Sequence, residues 1–84
     1  KLKRIPFLNS TLRDSTFVES ILIEADFAGS DLERALFKGC DLEKANFIGA
    51  KNYSIDVTAN TIKGARFSLP EAISLFAALG IELV

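Results

Sequence analysis

The chain has 84 residues, with 10 lysines and arginines against 11 aspartates and glutamates, no histidine and one cysteine. That is one domain, near the size at which a compact globule becomes marginal. A net charge of −1 gives no bias toward direct contact with nucleic acid or an anionic membrane, and a single cysteine excludes a disulfide framework within the chain. The missing histidine removes the usual general base, the Ser-His-Asp arrangement and the commonest metal ligand, so no catalytic residue, cofactor or metal is expected. No signal peptide is visible, nor an apolar run near the roughly 18 residues of a membrane span; the expectation is a cytoplasmic protein with no membrane partner.

In chain order, a five-residue phase is present from the start, through Leu2, Phe7, Leu12 and Phe17, with Ile5, Ser10 and Ser15 two positions before the last three. Ile5 is large for its slot, and Pro6 lacks an N–H for a ladder. A bare first coil would expose an apolar end and unpaired backbone. Because the chain begins at Lys1 and not at Met, either further residues precede it or a partner covers that end.

The phase is cleanest over residues 21–50, where Leu22, Phe27, Leu32, Phe37, Leu42 and Phe47 alternate Leu with Phe, and Ser20, Ala25, Ser30, Ala35, Cys40 and Ala45 precede them by two. A period of five fits neither the three-and-four spacing of an amphipathic helix nor the alternation of a strand. If five residues form one side of a square coil, twenty form a turn, and Leu22 stacks over Leu42, Phe27 over Phe47 and Ala25 over Ala45. Parallel coils about 4.8 Å apart hold stacked rings within the range of offset aromatic packing. Further core positions follow at Ile62 and Phe67. Cys40, in a small inward slot between Ser20 and Asn60, reads as inert packing.

These residues resemble the pentapeptide-repeat family, whose pattern is A(D/N)LXX with Leu or Phe at the centre. The resemblance implies an all-β fold: a right-handed quadrilateral parallel β-helix with the central and small residues inward and the other three outward. It assigns Asp26, Asp31 and Asp41 to the repeat, not to a metal, and Gly29, Gly39 and Gly49 to corner turns; no phosphate-cradle spacing occurs.

The column of Leu12 and Leu32 breaks at Asn52, where Tyr53 can fill the gap from a shifted backbone. Residues 51–61 therefore read as a distorted last coil, with residues 56–60 as a loop and the phase recovered at Ile62, Ala65 and Phe67. The division expected is a β-helix of about three coils over residues 1–67 and a capping and dimerisation segment over residues 68–84. Ser68 and Glu71 have capping-box spacing, Pro70 suits a first turn, residues 69–79 carry an α-helix and Gly80 ends it. Leu69, Ala72, Ile73, Leu75, Phe76, Ala77 and Leu79 cover about 200° of it, wider than the roughly 100° one packing face needs. Part should seal the last coil; the rest, with Ile81, Leu83 and Val84, is left for another chain. Leu75, Phe76, Leu79, Ile81 and Leu83 are thus the candidate homodimer interface.

The ending from Asn52 onward resembles the C-terminal ends of Qnr-type pentapeptide proteins. That resemblance implies a two-fold dimer, and a rod that mimics DNA, binds DNA gyrase or topoisomerase IV and protects them from fluoroquinolones. The candidate partner surface is then Glu24, Asp31, Glu33, Asp41 and Glu43. Charge weighs against full mimicry: three coils span roughly 14 Å, over which duplex DNA carries on the order of eight negatives, and Lys3, Arg4, Arg13, Arg34, Lys38, Lys44 and Lys51 lie among the acids. Outward apolar residues Leu8, Val18, Ile21, Ile23, Leu36 and Ile48 point to a protein-contact surface. The reading is a non-catalytic interaction scaffold with a type II topoisomerase as partner; the alternative is a structural or regulatory pentapeptide-repeat protein with an unrelated protein partner.

Overall fold

The computed structural model describes residues 7–81, the side chains of Ala77 and Ala78 excepted. Expectations for Leu2, Lys3, Arg4, Ile5, Pro6, Leu83 and Val84, and for the side chain of Ala77, lie outside the described residues.

The backbone turns every five residues. Ser10, Ser15, Ala25, Ser30, Ala35, Ala45, Ala50 and Ala65 each donate an N–H to the carbonyl three residues before, at 2.9–3.2 Å. The residue ahead of each donor is left-handed: Asn9, Asp14, Glu24, Gly29, Arg34, Lys44, Gly49 and Gly64, with φ between 54° and 77°. One positive φ at the third turn position is the type II pattern. Three such turns and a fourth corner, at Glu19 and Gly39, that is left-handed (φ 51° and 67°) without that hydrogen bond close a coil, so the side chains of the next coil fall twenty residues on.

The ladders carry that register. Strands β1 (Thr16–Val18) and β2 (Leu36–Lys38) run parallel with Phe17 opposite Phe37, and β3 (Asn46–Phe47) and β4 (Arg66–Phe67) pair with Phe47 opposite Phe67. Single parallel bridges, such as Thr11 to Asp31 and Ile21 to Asp41, join other sides. Strands are short because each side offers only a few ladder residues before the next turn. The result is a β-helix solenoid.

Inside, like stacks on like. Phe7, Phe27, Phe47 and Phe67 form one column at 4.9 Å with interplanar angles of 9°, 6° and 4°. Phe17 and Phe37 repeat the spacing in a second column, and rings of the two columns meet edge to face, for example Phe27 and Phe37 at 5.6 Å and 87°. Leu22, Leu32 and Leu42 are buried with them, as are the small residues Ala25, Ser30, Ala35, Cys40 and Ala45, while Ile62 and Phe67 are half-buried at the last coil. The Ser30 hydroxyl donates to the Phe7 carbonyl and accepts from the Ser10 N–H, which satisfies a polar group in the core.

The third coil departs from the pattern. Asn52 is exposed and itself left-handed (φ 62°), two positions before the expected corner, and Tyr53 is buried between Phe47 and Phe67 with ring centroids at 6.2 and 5.6 Å. Ile55 is buried in the small slot. Most ladder N–H groups reach the carbonyl nineteen residues on, but Gly39 N–H reaches Ala59, twenty on. Asn60 absorbs the slip: its amide donates to the Phe37 and Asp56 carbonyls and its oxygen accepts from Cys40 N–H.

Two expectations for the end of the chain need correction. The helix is a 3-10 helix, Glu71–Leu79, and not an α-helix from Leu69. Its three-residue pitch puts Ala72 and Leu75, both half-buried, in one row, and Ile73, Phe76 and Leu79, exposed by 47, 39 and 51%, in the next. No capping box involving the Ser68 side chain forms, because that hydroxyl accepts the Gly49 N–H at 2.9 Å; the Ser68 carbonyl instead receives Ala72 N–H.

Candidate interaction surfaces

Side chains fill the interior of the coils, so the chemistry available to other molecules lies on three surfaces: two flanks and the C-terminal end.

The first flank is the side of Leu12 and Leu32, whose outward residues form an ion-pair network. Arg13 Nε lies 2.7 Å from Asp31 Oδ2 and 3.7 Å from Glu33 Oε1; Arg34 grips Asp14 through Nε at 2.6 Å and Nη2 at 3.1 Å, and reaches Glu33 at 3.3 Å. Stacking sets this up, since Arg34 falls one coil below Asp14. Asp31 also accepts from Asn52 Nδ2 and Glu33 N–H. Arg13 first, then these donors, hold its carboxyl down at about 2. Asp14 is likewise lowered by Arg34, and both arginines are raised by their carboxylate partners.

Of the acids expected on the partner surface, Asp31 and Glu33 therefore belong to this network. Asp41 and Glu43 sit on the opposite side, that of Leu22 and Leu42, stacked under Ile21 and Ile23, with the Asp41 carboxylate accepting Glu43 N–H at 3.2 Å. Glu24 is half-buried at the following corner. The structure brings Asp41 and Glu43 together and separates them from the Asp31–Glu33 pair. The Arg13 and Arg34 bridges went unforeseen, although a twenty-residue register places Arg34 under Asp14.

The second flank lies around the corner at Glu19 and Ser20. Val18, Ile21 and Leu36 are exposed by 50, 46 and 50% there.

The C-terminal end is apolar. A groove of about 330 Å³ lies between the last coil and the 3-10 helix, lined by Val57, Ile62, Phe67 and Leu69 with Ala72, Leu75, Phe76 and Leu79. Leu75 packs against the core; Phe76, Leu79 and Ile81 are exposed by 39, 51 and 49%, and Leu69 and Ile73 join them by 77 and 47%. The helix is tied down by Ser74, whose hydroxyl donates to the Tyr53 carbonyl at 3.1 Å. Tyr53 is raised by burial and by the Glu71 charge, and its buried hydroxyl has no partner among the described residues.

Cys40 is buried, with its Sγ 3.1 Å from the Phe17 carbonyl. Among the described residues no group of three or more Cys, Asp or Glu is placed to hold a metal ion, and no helix is long and apolar enough to cross a membrane. Asp56 is lowered by the Thr58 hydroxyl and backbone N–H it accepts, a local turn.

No curated protein matches the chain. Solved structures similar to it include two trypsin-treated variants of QnrB1, described as a plasmid-mediated fluoroquinolone resistance protein. Each aligns with a TM-score of 0.45 and 19% identity over 99% of this chain and 45% of the QnrB1 chain. This chain thus spans less than half the length of those structures, and a likeness at that level carries no argument about function. The family comparison is specific: residues 20–51 match pentapeptide repeats in 8 copies. Over those residues, with their left-handed corners and twenty-residue stacks, the chain is similar to pentapeptide repeats.

Proposed function

We propose that this chain is a non-catalytic interaction scaffold that pairs with a second copy through its C-terminal end and presents the flanks of the solenoid to a protein partner. The observation that carries the reading is the exposed apolar row of Ile73, Phe76 and Leu79, of which Phe76 and Leu79 line an apolar groove together with Leu69, with Ile81 exposed nearby in sequence. Aliphatic and aromatic side chains concentrated at one end favour burial by a partner, and a two-fold pairing buries the row of each copy against the groove of the other. In this reading residues 68–84 are the capping and dimerisation segment of a right-handed quadrilateral coil.

The sequence resemblance of the ending to Qnr-type proteins makes DNA gyrase or topoisomerase IV the partner to test first. Full imitation of a duplex is not supported by the charges, since Asp14, Asp31 and Glu33 are paired with Arg13 and Arg34, which leaves that network a single net negative charge. A supercoiling assay with purified gyrase, with and without ciprofloxacin, is the test: protection or inhibition at micromolar protein is expected. Neither effect at that concentration would remove the topoisomerase reading and leave a scaffold for an unrelated protein.

A further inference from the structure

On the Leu12–Leu32 side every described carboxylate except those of the corners beyond it is within 3.7 Å of an arginine. One side further, around the corner at Glu19 that ends the Phe17–Phe37 side, the pattern reverses. Glu19, Asp41 and Glu43 have no cationic partner among the described residues, and they alternate with outward aliphatic side chains.

Register fixes the arrangement. Val18 pairs with Lys38 and Thr16 with Leu36, so Leu36 is the diagonal neighbour of Val18, roughly 7–8 Å away on one face. Glu19 and Ser20 then turn the chain, and Ile21 continues the apolar surface on the next side, stacked over Asp41. Val18, Ile21 and Leu36 are each about half exposed, at 50, 46 and 50%. Lys38 borders them, and Lys44 and Lys63 lie beside Glu43, one residue and one coil on, without an ion pair to it among the described residues.

We propose that this edge, formed by Val18, Glu19, Ile21, Leu36, Asp41 and Glu43, docks a basic amphipathic segment of a partner protein. The proposal rests on the scaffold reading above and says where on the scaffold the partner sits and what its chemistry is. The aliphatic side chains gain by leaving water, which any apolar partner satisfies. The carboxylates decide between partners: a neutral or acidic surface would strip them of water with nothing in return, whereas lysines and arginines beside an apolar face supply complementary charge. A second copy fits badly, because a two-fold contact sets Glu19, Asp41 and Glu43 against their own kind.

The test uses fluorescence anisotropy with two labelled helical peptides of one pattern, Leu on one face and either Lys or Glu on the other. The Leu/Lys peptide is expected to bind, more weakly as salt rises, and the Leu/Glu peptide not to bind. The double variant I21S/L36S should lose at least about tenfold in affinity, and Glu19→Gln with Glu43→Gln should flatten the salt dependence. Ile48→Ser, which removes an exposed aliphatic residue from another side, should change nothing; circular dichroism establishes that each variant is folded. Equal binding of the two peptides, no binding of either, or equal losses from I21S/L36S and Ile48→Ser would overturn the proposal. The gyrase assay is independent: peptide binding that depends on Ile21 and Leu36 upholds this edge even where gyrase is unaffected, and gyrase protection that survives I21S/L36S while peptide binding is absent overturns the edge alone.

Discussion

The first two described coils and the end of the chain both draw on Leu, Ile, Phe and Ala, yet they place them differently. In residues 7–51 two of every five side chains point inward to a stack that has no room left; Phe27, Leu32, Leu42 and Phe47 are fully buried. In residues 52–81 the same residue types lie half in and half out, with Tyr53 and Ile55 buried but Leu69, Ile73, Phe76 and Leu79 open to solvent. The repeat closes its core against its own next coil, whereas the last coil has no next coil and the 3-10 helix covers it only in part. A regular solenoid segment is self-satisfied; binding capacity collects where the regularity ends or where outward positions are free to vary.

The largest way to break that contrast is to remove a ring from the closed part. Phe27→Ala takes out the centre of a column that touches Phe7, Phe17, Phe37 and Phe47. It should cost about 3–5 kcal/mol in urea denaturation. The matching substitution in the open part acts on assembly instead. Phe76→Ser with Leu79→Ser should halve the mass seen by light scattering with little change in unfolding midpoint, and an unchanged mass would contradict the proposed dimer.

Acid separates the two regions by charge. Asp31 sits at about 2 in the folded chain, below the roughly 3.9 of a free carboxyl. A depressed carboxyl contributes stability that is fully present above the unfolded value and is lost as pH falls through the folded one. Denaturant midpoints should therefore decline between about pH 4 and pH 2, and Asp31→Asn should flatten the decline. The smallest effect sharpens the account of the corners: Lys44, left-handed at φ 61°, replaced by Gly should raise stability by roughly 0.5–1 kcal/mol in thermal unfolding.

Periodicity made the regular part of the fold legible because one steric rule, repeated, acts on every fifth residue. The Leu and Phe columns, the small inward slots, the glycine corners and the Asn52–Tyr53 irregularity can all be read from it. The helix type could not, since an apolar arc of about 200° fits several rows, and only contact with the last coil selects the row of Ala72 and Leu75. The fate of Ser68 was hidden for a similar reason: its local signal favours capping, but Gly49 N–H across the coil needs an acceptor. Surface charge was legible as a count and not as an arrangement. Asp31 and Glu33 look like Asp41 and Glu43 in the sequence, and only the arginines beside the first pair tell them apart.

The twenty-residue register also sets how such a chain can change length. Gaining or losing one residue inside a coil turns every later inward side chain outward, a change of two sets small residues in the large slots or large ones in the small slots, and a change of five keeps the inside inside but sets Leu under Phe. Ten codons, one Leu side and one Phe side, is the smallest duplication that keeps Leu under Leu and Phe under Phe, and twenty adds a whole storey. The slip at Asn52 marks the one kind of local edit that leaves the storeys above and below in place: a residue is displaced and its neighbour, Tyr53, takes its seat.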